Sequence, residues 1–272
     1  MRVFPALGPG CVPQAGALRS GSLTPDVVGI VCALQAEARH LGPATRRTEI
    51  LAALADGTLV CVSGMGSEAA ARGAQALVDE GAAALVSWGM AGGLDPSLTA
   101  GTLLLPTEIV ARDGQTIETS RPWRERLSVA VSSQLPAISG KLVTSARAVG
   151  SVADKAAMFR ETGAAAVDME SLGVAQVAVS RGVPFVAVRV IVDSAGDALP
   201  KSVTAAADAA GHLHLWRLLG ALALAPADLP ALIRLARRYS AAGRSLAAVA
   251  AAGWLAPSAF PRVGHSSPTA AS

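Results

Sequence analysis

Two acids, Glu170 and Asp193, stand where a folded sheet would present both to a bound molecule. They lie in Ala164–Ser194, AAAVDMESLGVAQVAVSRGVPFVAVRVIVDS. A short apolar run into Asp168-Met169-Glu170-Ser171 predicts a strand, Leu172–Arg181 a helix, and Phe185–Val192 a second strand ending on Asp193. Gly182 and Pro184 suit the helix end, because glycine tolerates left-handed geometry and proline cannot continue the ladder. Two parallel strands joined by a helix bring both carboxyl ends to one edge of the sheet. Open α/β sheets bind ligands at that edge. A carboxylate there can accept hydrogen bonds from a ligand or carry a proton to it. Asp168 reads as structural, complementing a helix N-terminus or pairing with an arginine. The two strand-end acids together are a stronger signal than either alone.

The elements upstream add a third acid and two glycine-rich turns. Val27–Leu34, VVGIVCAL, predicts a buried strand, and Gln35-Ala36-Glu37-Ala38-Arg39 follows, so Glu37 lies just past a strand's carboxyl end. Gly64-Met65-Gly66-Ser67 separates the predicted strand Leu59–Ser63 from the predicted helix Glu68–Glu80. Such a turn exposes backbone N–H groups to an anion, although it lacks the third glycine of the dinucleotide fingerprint and serves equally as a tight turn. After the predicted strand Ala84–Trp88, the run Gly89-Met90-Ala91-Gly92-Gly93 permits close approach of backbone to a ligand.

VDMES followed by VPFVAVRVIVDSAGD resembles the nucleoside phosphorylase and nucleosidase superfamily, over roughly residues 27–220. Within it the chain is most similar to the hopanoid-associated phosphorylases, which act on adenosylhopane, a nucleoside whose ribose carries a triterpene tail. The fold expected is a single three-layer α/β domain: a central mixed, largely parallel sheet flanked by helices, with further C-terminal helices. The resemblance implies that Asp193 protonates the departing purine and that Glu170 accepts hydrogen bonds from the ribose hydroxyls. It implies that Glu37 places the attacking water or a sugar hydroxyl. Gly64 and Gly66 would lie on the nucleophile side of the sugar, with Ala91, Gly92 and Met169 against the nucleoside. Met90 stands where many phosphorylases carry a phosphate-binding serine, which keeps hydrolysis beside phosphorolysis. Val192 replaces a serine and Asp168 a glutamate of the usual pattern.

The chemistry expected is cleavage of a purine N-glycosidic bond through an oxocarbenium-like transition state. The expected substrate is adenosylhopane, releasing adenine. A methylthioadenosine/S-adenosylhomocysteine nucleosidase is the alternative, and a non-catalytic nucleoside-binding module a further one. Keeping Glu37, Glu170 and Asp193 together argues against the last. No cofactor is implied, only phosphate as a co-substrate, and the resemblance implies a homo-oligomer.

The rest of the chain bounds these readings. Half of the 272 residues are apolar and only 16% charged, which is ample material for one core. Cys11, Cys32 and Cys61 are odd in number and unpaired in spacing, which fits a reducing cytoplasm better than a disulfide framework or zinc site. His212 and His214, two apart on a predicted helix, face different ways, so no metal site is expected. Nucleic-acid binding ranks low: basic residues are few and no aromatic residues interleave with them. Residues 1–25 read as a disordered extension, 26–225 as the catalytic domain, 226–250 as a basic amphipathic helix and 251–272 as a disordered tail. Leu218–Ala225 is too short to span a bilayer.

Between the motifs, Thr102–Val110, with Pro106 inside, predicts a bent or edge strand, Arg121–Gln134 a helix and Lys141–Ser145 a strand. Ser151-Val-Ala-Asp154 resembles a capping box that opens a helix ending at Gly163. Arg112 and Arg147 read as solvent-facing. Ser194–Lys201 adjoins the expected site and is placed to close over it. Ser202–Ala223 and Leu229–Ala250 read as helices. In the second, Arg234, Arg237, Arg238 and Arg244 share one arc, and Leu232, Leu235, Tyr239 and Leu246 the other. Such a helix either docks on the core with a solvated basic face or lies in an anionic membrane interface, which would make a cytoplasmic protein peripheral on the inner membrane face.

Overall fold

The computed structural model describes residues 27–48, 51–198 and 229–252. Four parallel strands form its centre in the order β4 (Leu59–Val62), β1 (Val28–Cys32), β5 (Ala84–Gly93) and β10 (Phe185–Asp193). Their near-continuous apolar runs are what strands covered on both faces require. Beyond β4, β3 (Leu51–Ala53) and β2 (Arg46–Arg47) add antiparallel.

On the other side the sheet curls and closes. Strand β10 pairs antiparallel with β6 (Leu103–Val110), β6 parallel with β8 (Ala137–Thr144), and β8 parallel with β9 (Ala166–Asp168). Strand β9 then returns antiparallel to Gly92 and Gly93 at the end of β5. A short β7 (Thr116–Glu118) pairs with β6.

Helices cover both faces. Alternate strand residues face opposite ways, so Ile30, Val86 and Val188 pack with Trp123 and Leu127 of α3 (Arg121–Val131). Val31, Leu85 and Ala187 pack instead with Leu77 of α2 (Ser67–Asp79) and Val174 of α5 (Ser171–Arg181). Helices α2 and α5 meet at Gly173, where an added Cβ would stand 2.0 Å from the Ser67 carbonyl oxygen. The remaining helices are the single turn α1 (Gln35–Ala38), α4 (Val152–Thr162) and α6 (Leu229–Ala251). This is the three-layer mixed α/β domain that the sequence predicts.

Three local expectations change. The strand at Asp168 does not lie parallel beside β10; it is three residues long and pairs with β8 and with the far end of β5. The glycine run Gly89–Gly93 is not a loop but the second half of β5. Its missing side chains allow the tight closure: a Cβ on Gly93 would lie 3.0 Å from the Asp193 carbonyl oxygen. The strand at Pro106 is bent, with a register shift between Pro106 and Glu108, but it is interior, and the shift accommodates a residue that has no N–H to donate.

The Ser151 cap forms as expected, its hydroxyl accepting the Asp154 N–H at 3.0 Å, and Gly163 ends α4 at φ +63°. Helix α6 docks on the core against β10 and the turn Arg39–Leu41, burying Ala242, Leu246 and Val249. Arg234, Arg237 and Arg244 remain exposed. No helix among the described residues is long and apolar enough to cross a membrane. The expected extension with Cys11, the helix Ser202–Ala223 with His212 and His214, Leu218–Ala225 and the tail from residue 253 lie outside the described residues.

Candidate functional site

The closure of the sheet brings Glu37, Glu170 and Asp193 to one cavity of about 300 Å3, walled also by Met65, Met90 and Tyr239. All three acids are buried.

Glu37 is held by the strand beside it. The Met90 N–H donates to its Oε1 at 2.9 Å, and the Leu34 N–H to its Oε2 at 3.1 Å. Gly89 makes room for this: a Cβ there would come within 2.5 Å of Oε1. Burial pushes the carboxyl of Glu37 above its ordinary range, and the charge of Arg189 opposes the rise. Met90, expected in the place of an anion-binding serine, therefore serves Glu37 through its backbone while its half-buried side chain lines the cavity.

Glu170 stands at the N-cap position of α5, just after β9, with its side chain turned away from the helix. Its Oε1 accepts the N–H of Gly66 at 3.0 Å, so the glycine turn at Gly64–Gly66 presents this donor to a carboxylate of the chain itself. Both glycines have positive φ, +85° and +96°. Gly64 and Gly66 themselves do not line the cavity; Met65 between them does. Ala91, Gly92 and Met169 line it as expected. The carboxyl of Glu170 is pushed up to about 7, first by burial and next by the charge of Asp168, against the pull of Arg189 and the Gly66 N–H.

Asp168 finds the arginine its sequence position called for. Arg189, at mid-strand in β10, donates from Nε at 3.0 Å and from Nη2 at 2.8 Å to Asp168 Oδ2. The other oxygen, Oδ1, accepts from the Thr144 hydroxyl at 2.7 Å. Arg189 Nη2 also reaches the hydroxyls of Ser87 at 2.6 Å and Ser171 at 3.0 Å. This buried cluster supports the start of α5, where Glu170 stands. The sequence does carry a signal for Arg189: a lone charge inside an apolar strand covered on both faces must be paired.

Asp193 ends β10 just past a register shift after Ile191. Its carboxylate accepts from the ammonium of Lys155 on α4. Burial pushes the Asp193 carboxyl up, and Lys155 draws it back down. Lys155 has no comparable signal in the sequence, where it reads as an ordinary cation on a helix.

A second cavity, of about 430 Å3, runs along α4 and includes Arg112, Arg147, Asp154 and Glu161. It contains none of the three acids, and these four charged residues are exposed, as expected for the two arginines. Cys32 and Cys61 are buried free thiols whose burial pushes their ionisation up, that of Cys61 to about 12; neither is poised as a nucleophile.

The raised acids fix a sign for stability. A carboxyl with a folded pKa near 7 against an ordinary 4.5 stabilises the fold fully below the lower value. That contribution is lost as pH rises through the upper one. Glu37 and Asp193 are raised too and act in the same direction. The melting temperature of the ligand-free protein is therefore expected to fall from about pH 5 to about pH 8, and Glu170→Gln to flatten that fall. Thermal melts of both proteins across this range check the sign.

No curated protein matches the chain. Among solved structures it is similar to the methylthioadenosine/S-adenosylhomocysteine nucleosidase of Neisseria meningitidis in complex with methylthio-immucillin-A. Identity there is 20%, coverage 85% of this chain and 99% of that one, and the TM-score 0.64. The corresponding nucleosidase of Helicobacter pylori is 21% identical, covering 64% and 88%, with a TM-score of 0.58. The futalosine hydrolase of Helicobacter pylori is 21% identical, covering 63% and 86%, with a TM-score of 0.57. These likenesses concern the fold. The family model described as the Phosphorylase superfamily matches residues 24–219, most of the chain and all three acids, and the chain belongs to that superfamily.

Proposed function

We propose that this chain cleaves the N-glycosidic bond of a purine nucleoside and that its substrate is adenosylhopane, from which it releases adenine. The observation that carries the reading is the convergence of Glu37, Glu170 and Asp193 on one cavity, each from a different strand end of a Phosphorylase superfamily fold. Asp193, whose carboxyl burial pushes up and Lys155 draws back down, gives its proton to a ring nitrogen of the purine as the bond to the sugar breaks. A positioned general acid of this kind contributes about 10²–10⁴-fold. Glu170 accepts the ribose hydroxyls, and its negative form favours the cationic sugar of the transition state. Glu37 places the nucleophile, phosphate or water, at the opposite face.

A cavity of about 300 Å3 seats a nucleoside, and a triterpene tail must leave it through the mouth. Leu235 and Tyr239 of α6, with Met65 and Met90, give that cavity an apolar rim suited to such a substituent. The exposed arginines of α6 suit a lipid substrate drawn from an anionic bilayer. A second reading, cleavage of methylthioadenosine or S-adenosylhomocysteine, is favoured by the names of the similar structures. Adenine release from detergent-solubilised adenosylhopane and from methylthioadenosine, each with and without phosphate, tests both. Phosphate-dependent release from adenosylhopane is the phosphorylase outcome, and release without phosphate makes the chain a hydrolase. Release from methylthioadenosine alone overturns the lipid assignment.

A further inference from the structure

Lys155 is completely buried, at 0% exposure. Lysine is almost never buried to this degree unless paired. Its ammonium has three donors, and all three point at the end of β10: to the Asp193 carboxylate, to the Ser194 carbonyl at 2.9 Å and to the Asp197 carbonyl at 3.0 Å. Among the described residues, Lys155 is the hydrogen-bond partner of the Asp193 carboxylate. Asp197 closes the same turn by accepting the Ser194 N–H at 3.0 Å, and its carboxylate pairs with Arg238 of α6 at 2.8 Å. Helix α6 in turn supplies Leu235 and Tyr239 to the cavity wall. Arg238 is thus no member of a purely solvated basic face. A continuous set of polar contacts joins Asp193, through Lys155 and the Ser194–Asp197 turn, to the helix that closes the cavity.

We propose that Lys155 is the positioning residue of Asp193: it fixes the carboxyl at the cavity wall, compensates the anion left there when the proton departs, and ties it through Asp197 and Arg238 to the seating of α6. The assignment rests on the reading of Asp193 as the acid that protonates the purine. In that step the Asp193 O–H proton passes to a purine ring nitrogen, and the electron pair of the N-glycosidic bond goes to the purine. The oxygen of phosphate bonds to the anomeric carbon, or that of water, whose released proton passes to the carboxylate of Glu37. What remains is a buried carboxylate, and an unpaired buried charge is costly. The ammonium of Lys155 is already in contact with it, so the charge develops beside its counter-ion.

The test compares full-length wild type, Lys155→Met, Asp193→Asn and Lys155→Met/Asp193→Asn, with methylthioadenosine and adenosylhopane as probes. Rates are followed by adenine release from about pH 5 to about pH 9. Lys155→Met is expected to lower kcat by about 10–10²-fold, as misplacement of a reacting group does, with KM little changed. Its basic limb of kcat/KM should move to higher pH, because Asp193 then holds its proton longer. A merely structural lysine would not move that limb. If Lys155→Met does not fold, the double variant still decides. Removing both charges avoids a lone buried ion, and a lysine that acts through Asp193 adds no further loss to Asp193→Asn. A further fall of about tenfold in the double variant, or an unmoved basic limb and kcat in Lys155→Met, overturns the assignment. Absence of purine release by wild type from either probe overturns the functional reading itself, and the assignment with it.

Discussion

Asp193→Asn is expected to lower adenine release by about 10²–10⁴-fold while the protein stays folded. The amide keeps the shape of the carboxyl and still offers Lys155 an oxygen to donate to, but it has no acidic proton for the purine. The ammonium is left without its nearest anion, yet the Ser194 and Asp197 carbonyls keep two of its three donors satisfied. The loss should therefore appear in kcat, with the far-ultraviolet spectrum unchanged. Burial raises the acid's folded pKa, so wild-type kcat/KM declines as pH rises through it; the variant's residual rate should lack that decline. A rate within a few-fold of wild type would remove Asp193 from the chemistry and shift the search for the proton donor to Glu170, whose carboxyl is pushed up to about 7.

Arg189→Leu is expected to cost about 3–5 kcal/mol of stability. The arginine and Asp168 form an ion pair with side-chain exposures of 2% and 0%, and truncating one partner leaves the other charged and dry. The hydroxyls of Ser171 and Ser87 also lose the guanidinium as a donor, Ser87 keeping the Ser171 hydroxyl at 3.1 Å. Glu170, whose ionisation Arg189 favours, should become harder to ionise still. In a chain of this size, a loss of that order corresponds to a fall in Tm on the order of 10 °C. Arg189→Lys should not restore it, because an ammonium cannot reproduce the two-pronged contact with Asp168 Oδ2 while reaching both hydroxyls. Asp168→Asn/Arg189→Leu should cost less than the sum of its single changes, since it leaves no lone buried charge. Denaturant unfolding of wild type, the three single variants and the double variant measures this, and a loss below about 1 kcal/mol in Arg189→Leu would mean that the pair contributes little.

The elements that the sequence shows plainly are those whose signal is local. Strands β1, β4 and β10 are apolar runs with clear ends, α2 and α5 carry helical composition, and the Ser151 cap is written in four consecutive residues. The three acids are visible for the same reason, each following a strand closely. What depends on distant pairing is not visible. Strands β2, β3 and β7 have two or three residues each, too few to show a period, and of β9 the sequence shows the strand but not its partners. The return of β9 to Gly92 and Gly93 depends on a strand far earlier in the chain. Lys155 meets Asp193 only because α4 packs where β10 ends, and Arg238 meets Asp197 only because α6 docks there. The resemblance to nucleosidases and phosphorylases marks the carboxylates but carries no reading of these two cations. Pro106 shows the opposite case: its effect on backbone geometry is local and legible, whereas its interior position is set by neighbours.

The ring of β5, β10, β6, β8 and β9 also bears on how the molecule behaves in a crowded solution. A strand with an unpaired flank is a template for another chain's backbone, and long apolar edges invite aggregation. Within this ring every strand pairs with at least two others, so the most apolar segments of a weakly charged chain offer little such template. Among the described residues, β7 pairs on one side, with β6. It is Thr116–Glu118, three residues with an acid at the end. A short edge ending on an acid repels its own copy, so it gives little footing for growth of the sheet from one molecule into the next.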